Sequence, residues 1–198
     1  MAMRRPTDTV GPMTVEAFLN WLETRPETER WELVEGEPVR MMAPTTFGHA
    51  LIKDNVVAAL RSAFAAPGAG QPCRVVSDGP AVRPPDDERN FYQPDTAVTC
   101  AQGIDPTAIT VPDPVVIVEV ISPSTRSRDF TDKMRAYFAV PSVQHYLLIE
   151  QRRRLVVHMF RNAAGRIETA FRAEGRVDLD PPGVALDVED IYAGVGLD

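Results

Sequence analysis

The stretch from Val115 to Tyr137 decides the fold, and it reads Val-Val-Ile-Val-Glu-Val-Ile-Ser-Pro-Ser-Thr-Arg-Ser-Arg-Asp-Phe-Thr-Asp-Lys-Met-Arg-Ala-Tyr. Six of the seven residues 115–121 are apolar and β-branched, which predicts a short strand buried on both faces and ended by Pro123. Glu119 interrupts this strand. A buried carboxylate is costly unless a metal ion or a partner charge meets it. The strand alone leaves two interpretations open, a structural Glu–Arg pair and a functional carboxylate.

The residues after the strand predict a helix that ends at about Ala139. Ser127 or Asp129 can cap its start. Its apolar stripe consists of Phe130, Met134, Tyr137 and Phe138. Lys133 lies beside this stripe, near the edge of the buried face, and can extend back over the strand end that carries Glu119. A strand carboxylate, a tight turn and a helix lysine are suited to holding a divalent cation and a phosphate together.

Length and composition indicate an ordinary globular protein. The chain has 198 residues, of which 44% are hydrophobic and 25% are charged. We expect a loose arm over residues 1–13 and a single domain over residues 14–198. No apolar run approaches the roughly 20 residues that span a bilayer, and the N-terminus lacks the apolar segment of a secretory signal. We therefore expect no membrane association.

Two cysteines, Cys73 and Cys100, stand in unrelated contexts without a CxxC spacing. This usage favours reduced thiols in a cytoplasmic location and argues against zinc.

The formal net charge is −7. This value argues against an avid, nonspecific coat on DNA, because counterion release requires clustered Lys and Arg. It is compatible with an enzyme whose acidic residues hold cations that in turn bind phosphate. The run of arginines at 152–154 is interpreted as a solvated hairpin turn.

The remaining chain predicts an α/β fold in which a mixed central β-sheet is flanked by helices. Helices are predicted over residues 14–24 and 47–65, with one helical turn near 188–192. A β-hairpin over residues 31–42 turns at Glu35-Gly36. Further strands are predicted over residues 73–77, 81–83, 91–99, 143–150, 155–161, 167–172 and 177–179.

Three polar residues outside the central stretch are candidates for a site. Glu35 is more often a plain turn residue, but a carboxylate at a strand end can face a site. His49 projects from the apolar side of helix 47–65 at its first turn, where a histidine is more often a core or capping residue. Asp95 follows Pro94, and proline in a strand belongs at an edge, a bulge or a strand start. Asp95 is therefore expected where the backbone changes direction.

Asp95, Glu119 and Lys133 form the candidate catalytic set. Two carboxylates can chelate Mg²⁺ through hard oxygen ligands and leave positions open for water and a substrate phosphate. The metal stabilises the charge of the pentacoordinate phosphate and lowers the pKa of bound water. The lysine orients that water and shields the developing charge. Spacing alone is a weak signal, since carboxylates on strands also occur by chance.

Several short motifs, in this order and at these intervals, resemble the Uma-two family of restriction-endonuclease-like proteins, a branch of the PD-(D/E)XK nuclease superfamily. The motifs are Trp31-Glu32-Leu33-Val34-Glu35-Gly36-Glu37, the helix of His49, Gln93-Pro94-Asp95, Val118-Glu119-Val120-Ile121-Ser122-Pro123-Ser124, Arg128-Asp129 with Lys133 and Tyr137, and Tyr146-Leu147-Leu148-Ile149. Together they cover roughly residues 14 to 192, nearly the whole chain.

The resemblance implies a restriction-endonuclease-like core with a Mg²⁺ site, where Mn²⁺ can substitute. It implies Asp95 and Glu119 as metal ligands and the backbone carbonyl of Val120 as a third ligand. The superfamily pattern Glu-x-Lys places a lysine where this chain has Ile121. Within the branch the lysine moves to the helix, which gives Lys133 its role. Glu35, His49 and Tyr137 are accessory candidates, and Arg126 and Arg128 are candidate phosphate contacts.

Two functional hypotheses follow from these residues. The first is a Mg²⁺-dependent endonuclease that hydrolyses phosphodiester bonds of DNA, with Lys133 orienting the attacking water. The second is a noncatalytic module that binds nucleic acid or a protein partner on a nuclease-like scaffold, which the low basicity and the absent Glu-x-Lys lysine favour. We expect a homodimer, because cutting both strands of a duplex usually takes two sites.

Overall fold

The computed structural model describes residues 12–41, 46–66, 72–121 and 129–197, and residues 129 and 130 in their backbone only. Across these ranges, no helix is both long enough and apolar enough to cross a bilayer. The predicted arm falls almost entirely outside them. Its last residue, Met13, is buried, and its backbone N–H donates to the carbonyl oxygen of Gly36 over 2.7 Å.

The N-terminal elements are the predicted helix and hairpin. They are α1 (Val15–Leu22), β1 (Trp31–Val34) and β2 (Glu37–Arg40). The hydroxyl oxygen of Thr14 caps α1 by accepting from the backbone N–H of Ala17 over 3.2 Å. The hairpin turns at Glu35 and Gly36, which have φ values of 52° and 86°. A side chain at Gly36 would meet the carbonyl of Met13 at 3.1 Å, so this turn requires glycine for both its conformation and its space.

Six strands form the central sheet, which is mixed as predicted. They are β3 (Arg74–Ser77), β4 (Thr96–Thr99), β5 (Pro114–Ile121), β6 (His145–Glu150), β7 (Val156–Arg161) and β8 (Ile167–Arg172), and they lie side by side in chain order. Strands β5 and β6 are parallel, whereas the other neighbours are antiparallel. Because a parallel pair needs a crossover, the chain between β5 and β6 crosses one face of the sheet.

The crossover differs from the predicted α-helix. Its described part has a π-helical turn over Asp129–Lys133, followed by α3 over Met134–Ala139. A π-helical turn carries one more residue than an α-helical turn and so rotates the side chains, an arrangement that is frequent at functional sites. Lys133 is only 3% exposed, so the prediction that it lies near the edge of the buried face was wrong. Its buried companions are Ala136, Tyr137 and Val140.

Helices cover both faces of the sheet. Helix α2 (Phe47–Ala65) lies on one face with α4 (Val188–Ile191) and with the hairpin of β9 (Arg176–Leu179) and β10 (Val184–Asp187). The π-helical turn and α3 lie on the other face. Since each strand alternates its side chains between the faces, β5 sends Val116, Val118 and Val120 to α2 and Ile117 and Ile121 to α3. The strand is buried on both faces, as predicted.

Two predicted strands were wrong, and one strand was missed. The strand predicted over residues 81–83 is not formed, because Ala81 and Val82 make only isolated bridges. The strand predicted over residues 91–99 shrinks to β4, because Pro94 lacks the N–H that would continue the ladder. Phe91 and Tyr92 instead form isolated bridges to Leu33 and Val82. Strand β10 was not predicted, since its four residues directly follow a proline-rich turn and are too short a run to distinguish from a loop.

Cys73 and Cys100 form a disulfide bond, so the expectation of two unrelated, reduced cysteines was wrong. Strands β3 and β4 pair antiparallel with Arg74 opposite Thr99. The next pair along this register is Cys73 and Cys100. The bond therefore closes the end of the β3–β4 ladder that lies near the loop after β4.

Candidate active site

Glu119 lies within β5 and faces α3. Glu119 is 5% exposed. Its Oε1 accepts hydrogen bonds from the hydroxyl of Tyr137 over 2.7 Å and from the ammonium of Lys133 over 2.9 Å. The carboxylate that interrupts the core strand is thus met by a lysine and a tyrosine of the crossover that follows it.

Tyr137 is held in a fixed orientation and keeps its proton. Burial raises the pKa of its hydroxyl well above the usual value, and the Glu119 carboxylate raises it further. The ring packs edge-on against Tyr92 and Tyr146, with centroids 5.7 and 5.1 Å away. A protonated hydroxyl on a rigid ring orients the carboxylate of Glu119.

Lys133 lies at the last position of the π-helical turn, and its ammonium bridges two carboxylates. Its Nζ donates to Oε1 of Glu119 and to Oε1 of Glu32, each over 2.9 Å. The ammonium also lies 5.8 Å from the centre of the Tyr92 ring, which is within the range of a cation–π contact. Its position next to the strand carboxylate is the arrangement that the sequence predicted.

Glu32 is the residue of this cluster that the sequence analysis missed. It lies on β1 and is 4% exposed. Its Oε1 accepts from Lys133 and also from the backbone N–H of Gln93 over 3.0 Å. Glu32 lies between the apolar residues Trp31 and Leu33, and this alternation is typical of a hairpin side chain that faces solvent. The only signal was its place within the motif that carries the family resemblance.

Asp95 immediately precedes β4, where the backbone changes direction as expected. Its Oδ2 accepts from the backbone N–H of Val120 over 2.7 Å, and its Oδ1 lies 3.4 Å from Nε2 of His49. Burial alone would raise the pKa of Asp95. The contact with His49, the Val120 N–H and the charge of Lys133 outweigh burial and hold the pKa below its usual value. The carboxyl is therefore ionised at neutral pH.

Asp95 and Glu119 lie side by side in the register of β4 and β5. Thr96 pairs with Val118, so the residues next in register are Asp95 and Glu119, and Asp95 bonds to the residue that follows Glu119. Asp95, Glu119, Lys133, Tyr137 and His49 thus lie in one region. They come from β5, the loop before β4, the crossover and the first turn of α2.

Three predicted residues lie elsewhere or outside the described ranges. Glu35 is an exposed turn residue, and its backbone is held by Asn90 and Arg89. No contact of its carboxylate with the cluster is found among the described residues. Arg126 and Arg128 belong to the part of the chain that the structure does not describe.

Carboxylates are gathered around Lys133. Among the described residues, its ammonium contacts the carboxylates of Glu32 and Glu119, and its charge also acts on the carboxylate of Asp95. In the described ranges, no group of three or more His, Cys, Asp or Glu side chains has the arrangement of a metal site. Mg²⁺ sites commonly use one or two carboxylates and complete the coordination shell with other oxygen ligands, and Asp95 and Glu119 are two carboxylates in adjoining positions.

A mixed sheet with a parallel crossover, and carboxylates on adjoining strand ends facing a helix lysine, define a restriction-endonuclease-like fold. A family model described as "Uma2: Putative restriction endonuclease" matches residues 15–190. The chain belongs to this family.

Two individual proteins are similar to this chain over nearly their full length. An uncharacterised protein of Synechocystis sp. is 25% identical over 196 residues, which is 98% of this chain and 99% of that protein. A crystal structure from Anabaena variabilis, described as "a putative nuclease belonging to DUF820", superposes with a TM-score of 0.68 at 18% identity. The superposition covers 93% of this chain and 99% of that chain, and it supports the fold.

Proposed function

We propose that this protein is a metal-dependent endonuclease that hydrolyses phosphodiester bonds of DNA. The observation that carries the proposal is the buried cluster in which Asp95 and Glu119 share the Lys133 side of the sheet. Membership of the family and the nuclease-like fold support the same reaction class. The adjoining carboxylates of Asp95 and Glu119 support a divalent cation, because hard cations such as Mg²⁺ prefer carboxylate oxygen ligands.

In this proposal Asp95, Glu119 and the backbone carbonyl of Val120 hold Mg²⁺, for which Mn²⁺ can substitute. The ion supplies a Lewis acid for the phosphate and a more acidic water. His49 supports Asp95 through its contact with Oδ1, and Tyr137 orients Glu119. The predicted contacts of Arg126 and Arg128 with phosphate belong to the proposal as well.

Lys133 acts on the attacking water and on the phosphate. Hydrolysis forms a bond between the water oxygen and phosphorus and breaks the bond to the leaving sugar oxygen. Negative charge grows on the phosphoryl oxygens in the transition state. An ammonium fixed beside the site by two carboxylates can orient the water and stabilise that charge without reorganising.

We further propose that two copies act together on duplex DNA in the cytoplasm, as a homodimer with one site for each strand. Sedimentation at micromolar concentration tests this part, because a species of 21.8 kDa under all conditions would remove the dimer from the proposal and leave the chemistry untouched.

The test of the activity is nicking of supercoiled plasmid by the purified protein with Mg²⁺ or Mn²⁺. We expect nicking that requires the metal and is lost in Glu119→Ala. Glu37→Ala, at an exposed position of β2, serves as the matched control and should nick like the wild type. If the wild type and Glu119→Ala are equally inert on DNA and RNA, and both bind DNA equally well, the noncatalytic binding module replaces this proposal.

A further inference from the structure

Strand β8 forms an open edge of the central sheet and carries exposed apolar side chains. It is the last strand of the sheet and, in the part of the chain that the structure describes, pairs only with β7. All of its residues except Ala170 are exposed. Ile167 and Phe171 are 39% and 63% exposed, and they are two of the four large apolar residues that are exposed among those described. An open edge of this kind is a template for pairing with another strand.

One side of the β8 backbone faces the open edge. Across the turn before β8, the N–H of Asn162 donates to the carbonyl oxygen of Arg166 over 2.9 Å, whereas the N–H of Arg161 points to the other side and donates to Gln144. Antiparallel ladders alternate between residues that bond to the neighbouring strand and residues that do not, so the even-numbered residues of β8 bond to β7. The odd-numbered residues direct their N–H and C=O groups to the open edge, and these residues are Ile167, Thr169 and Phe171.

The charges along this segment are complementary to themselves in reversed order. At every second position from Arg166 to Glu174 the sequence reads Arg, Glu, Ala, Arg, Glu. When two copies pair antiparallel about a two-fold axis at Ala170, Glu168 of each copy lies opposite Arg172 of the other. Arg166 and Glu174, just outside the strand, come opposite each other as well. All four charged side chains are exposed, and no ion pair of any of them is found among the described residues.

The neighbouring registers are disfavoured by the same charges. The edge-facing residues of one copy must meet the edge-facing residues of the other, so the axis can move only by whole residues. Moving the axis from Ala170 to Thr169 places the two arginines opposite each other, and moving it to Phe171 does the same with the two glutamates. Like charges directly opposite each other on neighbouring strands are destabilising. The axis at Ala170 is the one of these three that brings opposite charges together.

We propose that β8 is the surface on which a second copy of this chain docks, antiparallel and with Ala170 at the two-fold axis, so that the two central sheets join into one. The exposed Ile167 and Phe171 lie on the other face of the sheet from the charges and pack there against the second strand. This inference deepens the homodimer of the proposed function and rests on it for the number of copies. It uses no residue of the acidic cluster.

Single charge reversals test the interface in sedimentation equilibrium of the full chain. Glu168→Arg places arginines opposite each other, and Arg172→Glu places glutamates opposite each other, so each should weaken dimer formation by about tenfold or more. Mixing the two variants restores opposite charges at these positions in the mixed dimer, which should form about as well as the wild-type dimer. Glu37→Arg makes the same charge change at an exposed position of β2 and should dimerise like the wild type.

Cysteine substitutions test the register. Ala170→Cys brings each new thiol opposite its copy at a non-hydrogen-bonded pair, where Cα atoms are about 4.5 Å apart, within the range of a disulfide. It should give a covalent dimer on mild oxidation, and Thr169→Cys should give much less. The native cysteines do not interfere, because both are in the Cys73–Cys100 bond.

A wild type that stays monomeric up to about 100 μM overturns the proposal, and so does a dimer that both single reversals leave unchanged. A mixture of the two reversals that stays monomeric overturns it too, as does equal crosslinking of Thr169→Cys and Ala170→Cys. The nuclease activity is decided separately. A monomeric reversal variant that still nicks plasmid with metal leaves the proposed chemistry intact, and a dimer that depends on β8 but nicks nothing removes that chemistry and supports the interface.

Discussion

Two buried polar groups share the α/β sheet, and they are built differently. The first is the acidic cluster of Glu32, Asp95, Glu119 and Lys133. The second is a pair of histidines on β6 and β7, His145 and His158, whose facing ring nitrogens lie 2.9 Å apart. The histidines are 3% and 6% exposed, and Glu32, Glu119 and Lys133 are buried to a similar degree, whereas Asp95 is half-buried. They differ in charge and in how their polar atoms are satisfied.

Three of the four ring nitrogens of the histidine pair have hydrogen-bond partners among the described residues. Nε2 of His145 lies 2.9 Å from the carbonyl oxygen of Pro181, and a carbonyl only accepts, so this nitrogen carries the proton. In the neutral ring Nδ1 is then the acceptor, and it receives the proton of His158 Nε2. Burial lowers the pKa of both rings, that of His158 to about 4, with the neighbouring His145 contributing. The two neutral rings and the Pro181 carbonyl thus form a chain of two hydrogen bonds.

The acidic cluster instead consists of charged groups, with the carboxylates of Glu32 and Glu119 on the Lys133 ammonium and that of Asp95 beside His49. Clustered carboxylates can bind a divalent cation, whereas two neutral rings that already form hydrogen bonds offer it no charge. Under the proposed function, this contrast distinguishes a metal-binding cluster from a structural pair, and it generates predictions that differ for the two groups.

Removing one residue should lower the free energy of unfolding more in the acidic cluster than in the histidine pair. Lys133→Met leaves buried carboxylates without their ammonium and should lower the free energy of unfolding by about 3–5 kcal/mol. His158→Leu leaves a neutral nitrogen without a partner and should cost about 1–3 kcal/mol. Urea unfolding at pH 7.5 measures both. Equal costs would show that the charge in the cluster is compensated in another way.

As the pH falls, the protein should lose stability first through the histidine pair. Because the folded pKa of His158 is depressed from 6.5 to about 4, its contribution to stability is complete above pH 6.5 and is lost as the pH falls toward 4. The full loss is on the order of 3 kcal/mol. Asp95, whose pKa is lowered from 3.8, contributes above that pH and loses its contribution only below it.

The measurement is the free energy of unfolding from pH 7.5 to pH 4, in the wild type and in His158→Gln. The variant lacks the titrating ring and should show a shallower decline. A decline of the same steepness in both proteins would assign the acid sensitivity to other groups.

Divalent cations should stabilise the protein through the cluster alone. Mg²⁺ or Mn²⁺ at about 100 times its dissociation constant should raise the free energy of unfolding by about 2.7 kcal/mol. Asp95→Asn should remove the effect, and His158→Gln should retain it. Thermal unfolding with and without metal measures the difference. An equal metal effect in Asp95→Asn would place the cation elsewhere.

The smallest effect should come from Tyr137→Phe. The change removes one hydrogen bond to Glu119 and keeps the packing of the ring against Tyr92 and Tyr146. We expect a loss of about 1–2 kcal/mol in stability and a fall of a few-fold in kcat, since Lys133 still holds the carboxylate. A loss of activity as complete as that of Glu119→Ala would give the hydroxyl a direct part in the reaction.

The sequence predicted the parts of this protein that depend on local patterns. The hairpin at Glu35-Gly36, helix 47–65 and the buried strand around Glu119 rest on turn chemistry and on apolar periodicity, and the structure confirms them. The closeness of Asp95, Glu119 and Lys133 was expected from the family resemblance, since their spacing alone was a weak signal. Their roles as metal ligands and water-orienting residue stay predictions.

What the sequence did not predict depends on long-range register. Glu32 reaches Lys133, 101 positions away, only because β1 pairs with Phe91, and no local pattern carries that bridge. The Cys73–Cys100 bond depends on the pairing of Arg74 with Thr99. Burial of Lys133 depends on the π-helical turn, which inserts one residue where an α-helical period was assumed.

The most direct test of the acidic cluster as a metal-holding active site is anomalous diffraction from crystals soaked in Mn²⁺. We predict one strong peak between the carboxylates of Asp95 and Glu119, with the Lys133 ammonium beside it, and no peak at the histidine pair. A cluster without anomalous density at a Mn²⁺ concentration that supports full cleavage, or a peak located elsewhere, would contradict the account.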